Sequence, residues 1–483
     1  MKPIDEKLRP SALLGRLLIV YGLVVLWVVF LLSRLVYLQV YQSDSYREQA
    51  KKQQHGFKLL QGKRGEILDR NLKELAISVQ LHSLRAESRL IKNPRAAAEA
   101  LSPILSVPVQ EIMARLRSKR RSVLLERKVV PWQAERIRQL DITGVFLHQE
   151  RRRFYPDFQL AAHVLGFVGR DGEGLSGLEY KWDKQIRGHQ DRVRLRVDAR
   201  RKSFSSEAED QPRDGSTLVL NLHSSIQYLA ESTLERTVLQ NEASDGSIVV
   251  MDPHRGEILA MASFPRFDPN RFAEFDEENY RNRTILQVFE PGSTMKIISL
   301  AAVLQEGLVD LNEMVDCRAG TLRLAGKVYR EASHSFDQLS FNEILAKSSN
   351  IGTIKLVLRL GPEKLYQYLQ TFGFGEKTGV DLPGEEAGLL RPPSQWSKIS
   401  IGALAIGQEL AATPLQVLRA VASIANGGYL VKPYVVRRTL NADGELEEFS
   451  PERRRVLLPE TAELMKHALA EVVTEGTGRE AAL

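Results

Sequence analysis

At 483 residues, with 43% hydrophobic and 26% charged residues, the chain has room for two or three folded domains and is not a disordered protein. A net charge of +7 suits work beside an anionic surface, either membrane headgroups or an acidic polymer; no nucleic-acid module occurs and the arginines do not interleave with aromatics, which counts against nucleic acid. The one cysteine, Cys317, excludes an intrachain disulfide, a cysteine-rich zinc site and an iron–sulfur cluster, and the nine histidines show no metal-ligand spacing.

The chain opens on a membrane anchor. Leu17 to Leu32 is apolar apart from Tyr21 and Gly22, and no charge falls between Arg16 and Arg34. Those 17 positions fall slightly short of the ~20 a bilayer asks for. Leu13-Leu14 and Leu35-Val36-Tyr37-Leu38 extend the span, and the two arginines can snorkel to the interfaces. A cleavable signal would need a small-residue site, which Leu31-Leu32-Ser33-Arg34-Leu35 does not offer. Lys2, Lys7, Arg9 and Arg16 place the N-terminus in the cytoplasm by the positive-inside rule. The expected division is a cytoplasmic tail at 1–12 and a transmembrane anchor at 13–37, with the bulk outside the inner membrane.

A stretch of mixed character follows, 44–221. Arg64-Gly65-Glu66-Ile67-Leu68-Asp69-Arg70-Asn71 reads as a short strand running into a turn, and Leu75 to Ser78 as another strand. Pro94 to Met113 has helical spacing, and the basic run Arg115 to Arg121 reads as a solvated helix end. His163 lies among alanines and valine in Ala161 to Gly169 and reads as a structural histidine rather than a ligand. Nothing here pairs a nucleophile with a base. The stretch is a binding or spacer module.

A boundary near Asn221 follows the turn Arg213-Asp214-Gly215 and the strand Thr217 to Leu222. Ser224 or Ser225 is expected to cap a helix in which Ile226, Leu229, Thr233, Leu234 and Val238 recur at helical spacing. Ser247 to Asp252 and Glu257 to Ala262 flank Pro253-His254-Arg255-Gly256, a hairpin apolar enough for the interior of a covered sheet.

The stretch that organises the rest is Phe289-Glu290-Pro291-Gly292-Ser293-Thr294-Met295-Lys296, followed by the apolar run Ile297 to Leu304. Pro291-Gly292 marks a turn, and the run is too apolar for a surface helix. Ser293 and Lys296, three apart, share one helix face. Two readings stand at this point. One is a helix start followed by a solvated lysine. The other is a nucleophile whose proton the lysine takes, with burial lowering the lysine's pKa and the helix N-terminus favouring the alkoxide.

A second element is Lys347-Ser348-Ser349-Asn350, at a break between the helical stretches Phe341 to Ala346 and Ile351 to Leu360. Its residues are either plain caps or a proton-relaying hydroxyl and an amide that holds a substrate amide. The chain continues through a Gly-rich stretch containing Lys377-Thr378-Gly379, then Gly407-Gln408-Glu409-Leu410 and Thr413-Pro414-Leu415-Gln416, into an apolar helix ending at Gly427-Gly428.

Ser293-x-x-Lys296, followed 55 residues later by Ser348-x-Asn350, resembles the active-site pair of penicillin-binding proteins and serine β-lactamases. The flanking motifs, together with Arg64 to Asn71, Ala161 to Gly169 and Gly177-Leu178-Glu179, resemble the class B monofunctional transpeptidases. Val288 to Ser293 and Gln408-Glu409-Leu410 look more like the cell-division (FtsI-like) branch than the rod-elongation branch.

The resemblance implies an α/β (α+β) penicilloyl-serine transferase domain, mainly antiparallel sheet with helices, at 222–483. An elongated mixed α+β pedestal would precede it at 44–221, on one transmembrane helix. It implies that Ser293 attacks the penultimate D-Ala carbonyl of a peptidoglycan stem peptide and Lys296 acts as base. Ser348 would pass the proton to the leaving amine and Asn350 would align the peptide. No cofactor or metal is implied. The implied partners are peptidoglycan stem peptides, β-lactam antibiotics, a SEDS-type glycosyltransferase and divisome membrane proteins.

The family's third motif, Lys-Thr-Gly on an edge strand, is expected about twenty residues beyond Glu475 to Gly478, past Leu483. The transferase domain is therefore expected to be cut short before that strand, neither stable nor readily penicillin-binding. Lys377-Thr378-Gly379, with Gly373 and Gly375 before it, reads as loop and as a decoy. A catalytically inactive division scaffold and an antibiotic-sensing or hydrolysing relative stay open as other readings.

Overall fold

The computed structural model describes residues 10–47, 55–118, 120, 122–169, 171–197, 203–206, 213–332 and 335–482. The chain divides into two compact units: residues 1–62 with 189–212, and residues 63–188 with 213–483.

In the first unit, helix α1 (Pro10–Val36) continues through a π-helical turn, Tyr37–Tyr41. Leu14–Tyr41 is, among the described residues, the one helix long and apolar enough to cross a membrane. Its side chains from Leu17 to Val36 are all exposed. An all-round apolar helix with nothing packed on it among the described residues calls for lipid as its solvent. The Arg34 guanidinium sits 5.4 Å from the Tyr37 ring centroid at the end of the span. The unit also holds a three-stranded antiparallel sheet with His55–Gln61 and Ser203–Ser206 on either side of Gln190–Val197; His55 lies opposite Arg196 and Gln61 opposite Gln190.

The second unit is built on one seven-stranded sheet. Its strands are β1 (Ile67–Leu68), β2 (Glu74–Ala86), β3 (Val123–Val129), β4 (Val145–Phe154), β5 (Thr217–Leu220), β6 (Val436–Leu440) and β7 (Leu446–Glu448). They run in the order β7-β6-β5-β1-β2-β3, with β4 also paired to β2. The sheet passes without interruption from the chain before residue 221 to the chain after it, because β5 pairs antiparallel with β6, Leu218 opposite Thr439, and in parallel with β1, Ile67 opposite Leu218. Ile67, Leu75, Ala76, Leu218 and Leu220 are buried in the core this pairing creates. The expected strand–turn–strand at Arg64 to Ser78 is present as β1, the turn and the start of β2.

Two local expectations are corrected. Helical spacing over Pro94 to Met113 gives two helices, Pro94–Leu105 and Val109–Leu116. Ser106 turns left-handed at φ 56° between them, and Pro108, lacking an N–H, cannot carry one helix into the next. Neither Ser224 nor Ser225 is a cap of α2 (Ser224–Gln240); the helix starts at Ser224 and the preceding His223 caps nothing. The carboxylate that satisfies this end comes from far away in sequence. Asp69 Oδ2 accepts from Ser224 Oγ at 2.7 Å and Ser224 N at 3.3 Å, while its Oδ1 takes Asn71 N and Lys73 N. Burial works against the Asp69 charge, yet these hydrogen bonds hold its carboxyl below the usual range.

The expected hairpin is Gly246–Met251 paired with Ile258–Phe264. The second strand is largely buried; the first is half-buried along its whole length rather than interior. Its far edge has no strand partner among the described residues.

Candidate active site

The serine segment is a tight turn leading into a buried helix. Gly292 at φ 57° starts a 3₁₀ turn, Gly292–Thr294, which runs into α3 (Met295–Gln305). Met295, Lys296, Ile298 and Leu300 to Val303 are buried, and Ser293 is exposed. The turn is braced by 407–412. Gly292 N donates to Gly407 O at 3.0 Å, and Glu409 N donates to the Glu290 carboxylate at 3.0 Å. Phe289 exchanges backbone hydrogen bonds with Ala412. Gly407, at φ 78°, approaches so closely that a Cβ there would lie 2.1 Å from Gly292 O, so only glycine fits.

Lys296 is only 1% exposed. Its Nζ donates to Ser348 O at 2.5 Å and lies 3.1 Å from Ser348 Oγ. No carboxylate forms an ion pair with it among the described residues. Burial draws its pKa down to about 8, with the Glu331 charge working the other way.

Ser348 lies between α4 (Phe341–Ala346) and α5 (Asn350–Leu360), as the helix break in the sequence suggests. The α4 start carries a reciprocal cap between Ser340 and Glu343, and Ser349 caps α5 by accepting from Gly352 N at 3.0 Å. Ser348 itself is left-handed, φ 54°, an unusual conformation for a serine. Asn350 Nδ2 donates to Arg330 O at 2.8 Å.

Of the four residues singled out from the sequence, Lys296 and Ser348 are thus in direct contact and Asn350 belongs to the same turn. Ser293 sits one helical turn before Lys296, and its hydroxyl makes no hydrogen bond among the described residues. Sequence reasoning missed Glu331. Its carboxylate accepts from Ser349 Oγ at 2.6 Å, Asn350 N at 2.7 Å and Ile351 N at 3.3 Å. A lone acid after the short strand Lys327–Arg330 carries no spacing signal that points to a helix twenty residues on.

Lys377-Thr378-Gly379 lies in a loop. The Glu385 carboxylate takes Thr378 N at 2.7 Å, the Thr378 hydroxyl, and Gly379 N at 3.1 Å. His163 is structural: its Nε2 lies 2.9 Å from Asn279 O and 3.2 Å from Pro265 O, and burial pushes its pKa down to about 4. No cluster of His, Cys, Asp and Glu suited to a metal ion occurs among the described residues.

An exposed serine thus stands on a glycine turn, with a buried lysine one turn later and a hydroxyl on its amine. Residues 246–482 match the penicillin binding protein transpeptidase domain, and residues 59–220 the penicillin-binding protein dimerisation domain. The chain is 33% identical over 468 residues to stage V sporulation protein D of Bacillus subtilis, covering 94% of this chain and 72% of that protein. It is 31% identical over 434 residues to the peptidoglycan D,D-transpeptidase FtsI of Escherichia coli, covering 88% and 73%. Penicillin binding protein 3 of Mycobacterium tuberculosis, solved with aztreonam, superposes with a TM-score of 0.69 at 29% identity, covering 88% of this chain and 80% of that one. The chain belongs to the class B penicillin-binding proteins, and is a serine-type peptidoglycan D,D-transpeptidase that binds β-lactams. Leu14–Tyr41 is the span of a single-pass membrane protein.

Proposed function

We propose that the protein cross-links stem peptides during septal wall synthesis, through an acyl-enzyme on Ser293. Ser293 Oγ attacks the penultimate D-Ala carbonyl carbon while Lys296 Nζ, in its neutral form, takes the hydroxyl proton. The Ser293 N–H steadies the oxyanion. The C–N bond to the terminal D-Ala then breaks, and Ser348 relays a proton to the leaving amine. An amine of a neighbouring stem takes the acyl group and frees Ser293. Asn350 aligns the peptide.

The observation that carries this reading is the Lys296 amine, shut away from water, drawn down to about 8, and resting on the Ser348 hydroxyl. An amine with so low a pKa is neutral often enough near neutral pH to serve as a base. The family match weighs against the expectation of poor penicillin binding, so fluorescent penicillin should label the detergent-solubilised protein, with the adduct mapping to Ser293. Ser293→Ala should abolish it. Full labelling of that variant would show that the nucleophile lies elsewhere.

The septal assignment draws on the FtsI-like character of Val288 to Ser293 and Gln408 to Leu410. It predicts mid-cell recruitment of a fluorescent fusion and filamentation on depletion; rounded cells would favour elongation. The same reading takes 1–12 as a cytoplasmic tail, 13–37 as an inner-membrane anchor, 44–221 as the pedestal and 222–483 as the transpeptidase domain. The pedestal would meet a SEDS-type glycosyltransferase and divisome membrane proteins. Lys2, Lys7, Arg9 and Arg16 support a cytoplasmic N-terminus. A periplasm-specific reporter fused after Gln53 should be active, and a silent one would reverse the orientation.

A further inference from the structure

We infer that Glu331 is a positioning residue of this site, one that holds the Ser348 hydroxyl on the Lys296 amine by fixing the turn that follows it. The inference rests on the acyl-transfer reading above.

Three consecutive residues after Ser348 give donors to this one carboxylate. Ser349 Oγ and Ile351 N go to Oε1 at 2.6 and 3.3 Å, and Asn350 N goes to Oε2 at 2.7 Å. The two backbone groups are orphan N–H groups of the first turn of α5, and the helix dipole favours a negative charge there. Ser349 Oγ is committed on both sides, because it also accepts from Gly352 N at 3.0 Å. The clasp extends to the strand before Glu331, where Arg330 O accepts from Asn350 Nδ2 at 2.8 Å.

What this clasp restrains is a strained residue. A serine at φ 54° costs on the order of 1–3 kcal/mol relative to ordinary backbone and persists only where its surroundings over-determine it. Ser348 touches Lys296 through both its carbonyl and its hydroxyl, so relaxation of its backbone moves both contacts at once. A loosened turn takes the proton relay away from the base.

The carboxylate has a second effect through space. Its charge opposes the effect of burial on Lys296. Other titratable groups near this turn are Cys317, whose Sγ lies 3.9 Å from Ser349 Oγ, with Asp316 and Lys355 beside it, and Lys347, which precedes Ser348 and pairs with Glu343 at 2.9 Å; Lys355 donates to Asp316 O. Removing the Glu331 charge therefore lowers the pH at which Lys296 loses its proton, a change that loss of packing alone does not produce.

The test measures the second-order rate of penicillin acylation from pH 6 to 10, together with thermal unfolding, for the solubilised protein and its Glu331→Gln, Ser349→Ala and Ser293→Ala variants. Glu331→Gln is expected to be at least about tenfold slower on the plateau, with its acidic limb displaced to lower pH. Ser349→Ala keeps the charge and loses one clasp. It should slow acylation with the limb unmoved. A Glu331→Gln protein with the wild-type rate overturns the inference, and so does one that is slower with an unmoved limb. If Glu331→Gln does not fold, a wild-type rate in Ser349→Ala overturns it instead. Failure of the underlying reading looks different: an unlabelled wild type, or a labelled Ser293→Ala.

Discussion

Two of the places in the second unit that bury cationic side chains treat the charge in opposite ways. Around Glu179, which is fully buried, Arg64 Nε and Arg153 Nε reach the two carboxylate oxygens at 2.6 and 2.5 Å. Arg64 also pairs with Asp183 at 2.6 Å and donates to Glu179 O, while Arg153 donates to Gly65 O. Tyr155 OH adds a further contact to Glu179 at 3.3 Å. At Lys296 the burial is as deep, but among the described residues the ammonium meets only a carbonyl and a hydroxyl. Cancelled charge fixes architecture, here joining the Arg64 and Glu179 motifs. Charge left without a counter-ion lowers a pKa and makes a base.

The comparison can be broken at its structural side first. Glu179→Gln leaves two buried guanidinium groups facing a neutral amide, and removing one partner of such a cluster costs about 3–5 kcal/mol. Thermal scanning should show the unfolding midpoint falling by roughly 5 °C. An unchanged midpoint would mean that water reaches the cluster.

At the other site the sign reverses. Burial takes Lys296 from 10.5 to about 8, so keeping it charged costs the folded state roughly 3 kcal/mol. The unfolded chain binds the extra proton between those two values. The penalty is therefore complete below pH 8 and fades as pH rises from 8 to 10.5. Lys296→Met should raise the midpoint by several degrees at pH 7 while acylation falls by roughly 10²- to 10⁴-fold. A destabilised Lys296→Met protein would mean that the ammonium is better compensated than its contacts indicate.

The smallest effect belongs to Lys377→Ala. Its loop is held by Glu385 through Thr378 and Gly379, and the lysine is exposed. Acylation rate and midpoint should stay within error of wild type. A large loss of labelling would make this tripeptide part of the site.

How much was legible in the sequence follows from the range of the forces involved. The Pro-Gly turn, the buried helix after Ser293 and the break at Ser348 are local, written in turn residues and in apolar residues at helical spacing. The hairpin at 246–264 is local too, although its half-open first strand is not, since cover depends on what packs there. The parallel pairing of Ile67 with Leu218 and the Asp69 cap on α2 join residues about 150 apart. A β-pattern says that a strand exists and leaves its partner open. Arg64 and Glu179 were each part of a recognisable motif, but nothing in either motif shows that they meet. Glu331 had no motif at all; its importance arises because chain reversal brings it to the N-terminus of α5.

The most direct test of the uncompensated amine is the pH dependence of penicillin acylation in the wild-type protein, read beside Lys296→Met. The account predicts a rate that rises with pH through about 8, where Lys296 loses its proton, and that largely disappears in the variant. A rate flat from pH 6 to 10, or Lys296→Met acylated as fast as wild type, would contradict it.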